Sequence, residues 1–396
     1  MEPSRGDSII KKIALAIVVQ LVVLLLLELG LQIYIVHGAD RPTFLRWASF
    51  NQLKNRNPDA EPLYSPHAYI GHYPTPGYRK EENRHNELGF RGEEIVIPKP
   101  EGEFRIVCLG GSTTYTSKVR NFRKSYPYQL GLDLRERGYE NVNVINGGAS
   151  GWSSWETLIS FEFRVLDLEP DLVIVYHGIN DVHPRLVWPE THYRGDNSGR
   201  RSPGQSILNS MPGVLEHSSL FRVIGIELGW IQSHSDFGRT ILLPAPNYVG
   251  DIFRDQRHAG VYPAGVFEEI TAAEILKANK PIYFERNIEN LIAIAKAQNV
   301  KVLLSSFAFH PDFEDHPRAS SREYIDAYFE TNSMLKRVAA EQNVSFFDFA
   351  FAFPKDRSLY IDGRHVTEVG AQLKAKLFAE YLHQSDLLVA REAEED

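Results

Sequence analysis

From residue 104 onward, five short apolar runs rich in β-branched residues recur along this 396-residue chain, at 104–109, 142–145, 172–176, 302–304 and 344–347. Between most of them lie stretches with helical periodicity, at 128–137, 155–166, 284–297, 324–341 and 367–382. In 284–297 the apolar residues Ile288, Leu291, Ile292 and Ala295 fall on one helical stripe. Strands that alternate with helices predict an α/β fold: a parallel sheet covered on both faces, with right-handed crossovers. Such a sheet binds ligands in the crevice outside the carboxyl ends of its strands. The residues that follow each apolar run are therefore the first place to look for chemistry.

Four short blocks, in a fixed order, follow such runs or lie near the same edge of the sheet. They are Gly110-Gly111-Ser112-Thr113, Asn146-Gly147-Gly148-Ala149-Ser150-Gly151, Gly178-Ile179-Asn180-Asp181 and Asp362-Gly363-Arg364-His365. Ser112 follows a strand and two glycines, which permit a tight turn and close approach of a substrate. By itself the block reads first as a strand-to-helix turn with Ser or Thr as the helix N-cap, and it lacks the lysine of a phosphate-binding P-loop. Gly151 could aim a backbone N–H into the crevice. Asn180 could offer a side-chain amide to a developing oxyanion, or serve only as a turn residue. The neighbouring His177 reads as a structural histidine. Asp362 and His365 are three apart, so a turn places both on one face, where a carboxylate can orient an imidazole. Together the blocks supply a nucleophile, oxyanion donors and an acid–His pair, the requirements of acyl transfer through a serine.

Other chemistries fit less well. The chain is mildly acidic, with 51 Asp+Glu against 43 Lys+Arg, and has no basic run, so nucleic acid is not expected as a partner. The single cysteine, Cys108, excludes a disulfide framework, and its place in the apolar run 104–109 makes it a buried, inert thiol. His310, Asp312, Asp315 and His316 could be metal ligands, but Pro311 and the irregular spacing match no standard site, and no metal or other cofactor is expected. The Gly-x-Ser-x-Gly elbow of α/β-hydrolases does not occur.

The N-terminus differs from the rest of the chain. Residues 13–36 are almost wholly apolar, broken by Gln20, Glu28 and Gln32, and as a helix they would span about 36 Å, enough to cross a bilayer. Arg5, Lys11 and Lys12 precede the run, which favours a cytoplasmic segment 1–12 and a domain on the far side. A cleaved signal peptide is the competing reading, but the run is long for one and Val36-His37-Gly38 is a poor cleavage site. Residues 37–100 read as a stalk and an extended lead-in, and 101–385 as the domain. Within it, about 182–280 lacks a strand–helix rhythm and reads as an inserted cap or lid. Residues 386–396 read as an acidic, frayed tail.

The four blocks resemble those of the SGNH (GDSL-type) hydrolase superfamily, whose Ser, Gly, Asn and His correspond to Ser112, Gly151, Asn180 and His365, with Asp362 as the preceding aspartate. Asn146, Pro170-Asp171, Val366-Thr367 and Gly370 extend the similarity, and Asn86-Glu-Leu-Gly-Phe-Arg-Gly92 resembles the segment ahead of the domain in membrane-anchored bacterial members. One position departs: the family's Gly-Asp-Ser is Gly110-Gly111-Ser112 here. The resemblance implies a three-layer, flavodoxin-like α/β/α fold with a five-stranded parallel sheet of order 2-1-3-4-5. It also implies ester hydrolysis with Ser112 as nucleophile, His365 as base and Asp362 as its orienting group. The Ser112 and Gly151 N–H groups and the Asn180 amide would form the oxyanion hole. The expected partners are an ester substrate, such as an acylated glycan or lipid, and the membrane, with the domain on the periplasmic side. Two other functions share these residues: an O-acyltransferase acting on envelope glycans, and a non-catalytic membrane-anchored scaffold.

Overall fold

In the computed structural model, residues 5–49, 52, 63–67, 69–201, 215, 217–231, 233 and 245–388 are described. Residues 50–51, 53–62 and 68 of the lead-in, 202–214, 216, 232 and 234–244 of the stretch 182–280, and the tail from 389 onward lie outside the described residues. The chain divides into two compact units, Met1–Pro62 with Gly204–Ile241, and Leu63–Pro203 with Leu242–Asp396.

The second unit is built on the five apolar runs. They become β1 (Phe104–Gly110), β2 (Val142–Gly148), β3 (Leu172–Tyr176), β4 (Lys301–Ser305) and β5 (Ser345–Phe347), all parallel, in the order β2-β1-β3-β4-β5. This is an α/β fold with the 2-1-3-4-5 sheet. Every residue of β1 and β3 is buried, as expected where helices cover both faces. Alternation divides the core. Ile106, Cys108, Leu172, Ile174 and Tyr176 face one layer, whereas Val107, Leu109, Val173 and Val175 face the other. The helices Tyr126–Glu136 and Glu368–Gln384 cover the first face, and Ile282–Ala297 covers the second. Cys108 is fully buried, and burial pushes its thiol up to about 12, so it is no nucleophile at neutral pH.

Capping sets the helix starts. Ser153 and Glu156 form a reciprocal capping box, and Thr367 caps Glu368–Gln384 through the Gly370 N–H. The stretch expected as one helix at 155–166 breaks into an α-helix to Ser160, a π-turn Phe161–Val165 and a 3₁₀ turn Leu166–Leu168, closed by left-handed Glu169.

Residues 63–100 form small ribbons, Tyr64–His67 with Gly71–Pro74 and Arg79–Lys80 with Asn83–Arg84. They are fastened to the domain. The buried Arg91 donates to the carbonyls of Tyr115, Thr116, Val119 and Arg120, the segment that follows Ser112. Ile70 packs with Ala149 and Trp152.

The first unit contains the helix Arg5–Ile33, continued by a π-helical turn Tyr34–Gly38. Lys11–Gly38 is long and apolar enough to cross a membrane by length and composition, a test that a signal sequence also passes. A short helix, Arg41–Trp47, follows, with Asp40 accepting the Thr43 N–H. The inserted stretch contributes the helix Ser219–Glu227 to the same unit.

Candidate active site

The carboxyl ends of β1, β2 and β3 carry the first three blocks, and the fourth lies in a turn after β5, beyond the short helix Phe349–Ala352. β1 ends at Gly110, and a single helical turn, Ser112–Tyr115, begins two residues later. Ser112 is partly exposed. Its Oγ lies 2.8 Å from His365 Nε2, across 253 residues of sequence. His365 Nδ1 lies 2.7 Å from Asp362 Oδ2. The structure therefore brings Ser112, His365 and Asp362 into one hydrogen-bonded line.

The Asp362–His365 pair sits on a closed turn, in which the Ile361 N–H donates to the His365 carbonyl and Tyr360 bridges Val366. Asp362 Oδ1 accepts the backbone N–H groups of Arg364 and His365 at 3.1 and 2.8 Å, while its Oδ2 faces the imidazole and the Arg364 guanidinium, the latter at 3.2 Å. Burial works against ionisation of this carboxyl. The His365 hydrogen bond, the His365 and Arg364 charges and the backbone donor outweigh it and hold the group well below the usual carboxylate range. An ionised Asp362 that accepts from Nδ1 fixes the tautomer in which Nε2 is the acceptor facing the Ser112 hydroxyl.

The oxyanion candidates come from β2 and β3. Gly151 has φ +82°, a conformation that favours glycine. Asn180 lies in the short helix Ile179–Val182 after β3, and its Nδ2 donates to the Trp152 carbonyl at 2.8 Å, which ties the β3 loop to the residue after Gly151. An amide NH2 carries two N–H groups, and this bond engages one of them. The structure also gives glycine 111 a reason. A Cβ on that residue would lie 2.5 Å from Asn180 Nδ2 and 3.0 Å from the Trp152 carbonyl. Where the family carries aspartate, this chain lets the Asn180 amide close directly on the serine turn.

Gly111→Ala should therefore push the Asn180 amide aside. A displacement of about 1 Å at such a donor costs about 10²-fold in turnover, so steady-state kinetics should show kcat reduced with KM little changed. An unaltered kcat would mean that the amide does not need this close approach.

Sequence reasoning missed the arginines. Arg200 donates to the Asn180 carbonyl at 3.3 Å. Arg201 donates to the Gly151 carbonyl and pairs with buried Glu156. Two adjacent residues thus hold the backbones of Gly151 and Asn180. Nothing in the pair Arg200-Arg201 announces this, because it depends on where the inserted stretch returns in space. His177 is buried, with Nδ1 3.3 Å from Asp181 Oδ2 and Nε2 2.9 Å from Thr157 Oγ1; Asp181 in turn accepts the Ser154 N–H. It acts as a strut rather than a pocket-lining group.

The family model for GDSL-like Lipase/Acylhydrolase matches residues 108–373. Among solved structures, the chain is similar to a GDSL-like lipase from Bacteroides thetaiotaomicron, with 16% identity, 73% of this chain and 93% of that one covered, and a TM-score of 0.39. A lipase/acylhydrolase from Enterococcus faecalis shares 17% identity over 73% of this chain and 100% of that one, with a TM-score of 0.39. A psychrotrophic esterase from a Pseudoalteromonas species shares 12% identity over 71% and 98%, with a TM-score of 0.38. No curated protein matches.

Proposed function

The chain belongs to the GDSL-like lipase/acylhydrolase family and is an ester-hydrolysing enzyme, and we propose that it cleaves carboxylic esters through a Ser112 acyl-enzyme, as a membrane-anchored enzyme facing away from the cytoplasm. The observation that carries the mechanism is the unbroken Ser112–His365–Asp362 line, at 2.8 and 2.7 Å.

In this mechanism Ser112 Oγ attacks the ester carbonyl while its proton passes to His365 Nε2. The tetrahedral oxyanion is held by the Ser112 and Gly151 N–H groups and the Asn180 amide. His365 then protonates the departing alcohol, and the acyl group remains on Ser112. A water enters, gives a proton to His365 and attacks the acyl carbonyl; the bond to Ser112 Oγ then breaks as His365 returns the proton to that oxygen, and the carboxylic acid leaves. Asp362 keeps its charge throughout and stabilises the imidazolium.

The test is hydrolysis of p-nitrophenyl acetate by the purified full-length protein in detergent, beside Asn180→Ala. Removing one oxyanion donor costs about 10²–10³ in kcat, roughly 3 kcal/mol of barrier. Equal turnover by the two proteins would remove Asn180 from the oxyanion hole.

The orientation rests on Arg5, Lys11 and Lys12 ahead of the span. An alkaline phosphatase fusion after residue 60 should be active in a bacterial host. An inactive fusion of normal abundance would place the domain on the cytoplasmic side.

A further inference from the structure

The helix Ser219–Glu227 buries an arginine while it leaves large apolar residues uncovered. Ser219, Arg222, Gly225 and Ile226 are buried. Arg222, only 1% exposed, donates to the carbonyls of Trp47 and Ala48. Glu227 accepts from Arg46 and from the Trp47 indole. Both charges of the helix are thus engaged by the Arg41–Trp47 segment. The uncovered side carries Glu227 together with apolar residues: Ile224 is 44% exposed, Leu228 57% and Trp230, just beyond the helix, 64%. A helix surrounded by water places its charges outward and its apolar stripe inward.

The N-terminal helix supplies the second observation. Glu28, the one acid in its apolar stretch 13–36, accepts the Ser219 N–H at 2.6 Å, the Leu220 N–H at 2.9 Å and the Ser218 hydroxyl at 2.9 Å. Gln32 adds a fourth donor at 2.8 Å. With Lys11 at one membrane face, Glu28 lies about 25 Å further along the helix. The hydrocarbon core is about 30 Å thick, so Glu28 and the helix start that caps it fall near the core's far boundary. The adjoining surface of the N-terminal helix is apolar and exposed as well, at Leu25, Leu26, Leu27 and Ile33.

We propose that residues 218–231 form an interfacial membrane element, docked on the end of the anchor by Glu28, with Ile224, Leu228 and Trp230 entering the headgroup–acyl boundary. This inference rests on the anchor reading above. It gives the costly acid its partners at the depth where they are needed. It also places a tryptophan where an amphipathic ring is favoured. The occupant of the apolar face is lipid, because Glu28 of the apolar span holds the start of this helix.

The experiment uses the full-length protein in phosphatidylcholine–phosphatidylglycerol vesicles, with a nitroxide attached in turn to Trp230→Cys, Val22→Cys in the span and Tyr69→Cys on the domain surface. Cys108 is buried and leaves the background unlabelled. At position 230 the label should be open to oxygen and several-fold less open to an aqueous nickel chelate than the label at 69. An aqueous label at 230 with a lipid-exposed label at 22 would overturn the interfacial element while leaving the anchor. A label at 230 shielded from both relaxants would overturn it in favour of a protein partner, such as a second copy of the chain. An aqueous label at 22 would overturn the anchor reading itself. As a check independent of labelling, Trp230→Phe should remove a large share of the tryptophan quenching caused by brominated lipids, and unchanged quenching would contradict the proposal.

Discussion

Ser112→Ala should lower kcat for p-nitrophenyl acetate by about 10⁶, with KM nearly unchanged. Its Oγ is the atom that faces His365 Nε2, and no other nucleophile stands in line with that imidazole among the described residues. Cys108, the one thiol, is buried in the sheet with its pKa raised to about 12. The oxyanion donors and the binding surface survive the substitution, so a residual acceleration of about 10³–10⁴ over water should remain. Because the serine and the histidine act as one unit, His365→Ala should cost about as much, and the double variant little more. The melting temperature should hardly move, since Ser112 is partly exposed and leaves no buried partner unpaired in the alanine variant. A loss of less than tenfold would remove Ser112 from the mechanism.

Asp362→Asn should lower kcat by about 10⁴. The carboxylate accepts from His365 Nδ1 at 2.7 Å. An asparagine placing its NH2 there would favour the opposite tautomer, with the Nε2 proton aimed at the hydroxyl it should receive from. The same substitution has a stability signature. Asp362 has a folded pKa held well below its unfolded one, by the His365 bond and the His365 and Arg364 charges working against burial. Its contribution is therefore present above the unfolded pKa of about 3.9 and is lost as pH falls through the folded value. Thermal melts of the wild type should decline on the acid side below about pH 4, and this part of the decline should be smaller in Asp362→Asn. Parallel acid limbs in the two proteins would contradict the pairing.

The strands of the sheet were legible because β-branched runs flanked by helical stripes leave few alternatives. Their ends were less so. The run expected at 142–145 continues to Gly148, because Asn146, Gly147 and Gly148 pair with Cys108, Leu109 and Gly110 of β1. Glycine has no strand preference of its own, and here the ladder overrides propensity. At the candidate site, Ser112, Gly151 and Asn180 stand out because each comes after a strand, whereas Asp362 and His365, well beyond β5, stand out only by their spacing of three. Their supports were not. Arg91 grips the carbonyls after the serine turn, and Arg200 and Arg201 hold Asn180 and Gly151. These contacts run from a segment before the sheet and from one inside the insertion, and no periodicity encodes them. Gly111 looked like the loss of an acidic neighbour, and only the 2.5 Å approach of Asn180 shows what the missing side chain makes room for. Glu28 breaks the apolar run with no local partner besides Gln32; its other partners lie about 190 residues away.

The central claim is that Ser112 is a nucleophile activated by His365. The most direct measurement is reaction of the full-length protein with a fluorophosphonate probe, followed by peptide mass spectrometry, beside Ser112→Ala and His365→Ala. The account predicts a single adduct on the peptide carrying Ser112, no adduct in Ser112→Ala and strongly slowed labelling in His365→Ala. Equal labelling of the wild type and Ser112→Ala, or an adduct mapped to any other residue, would contradict it.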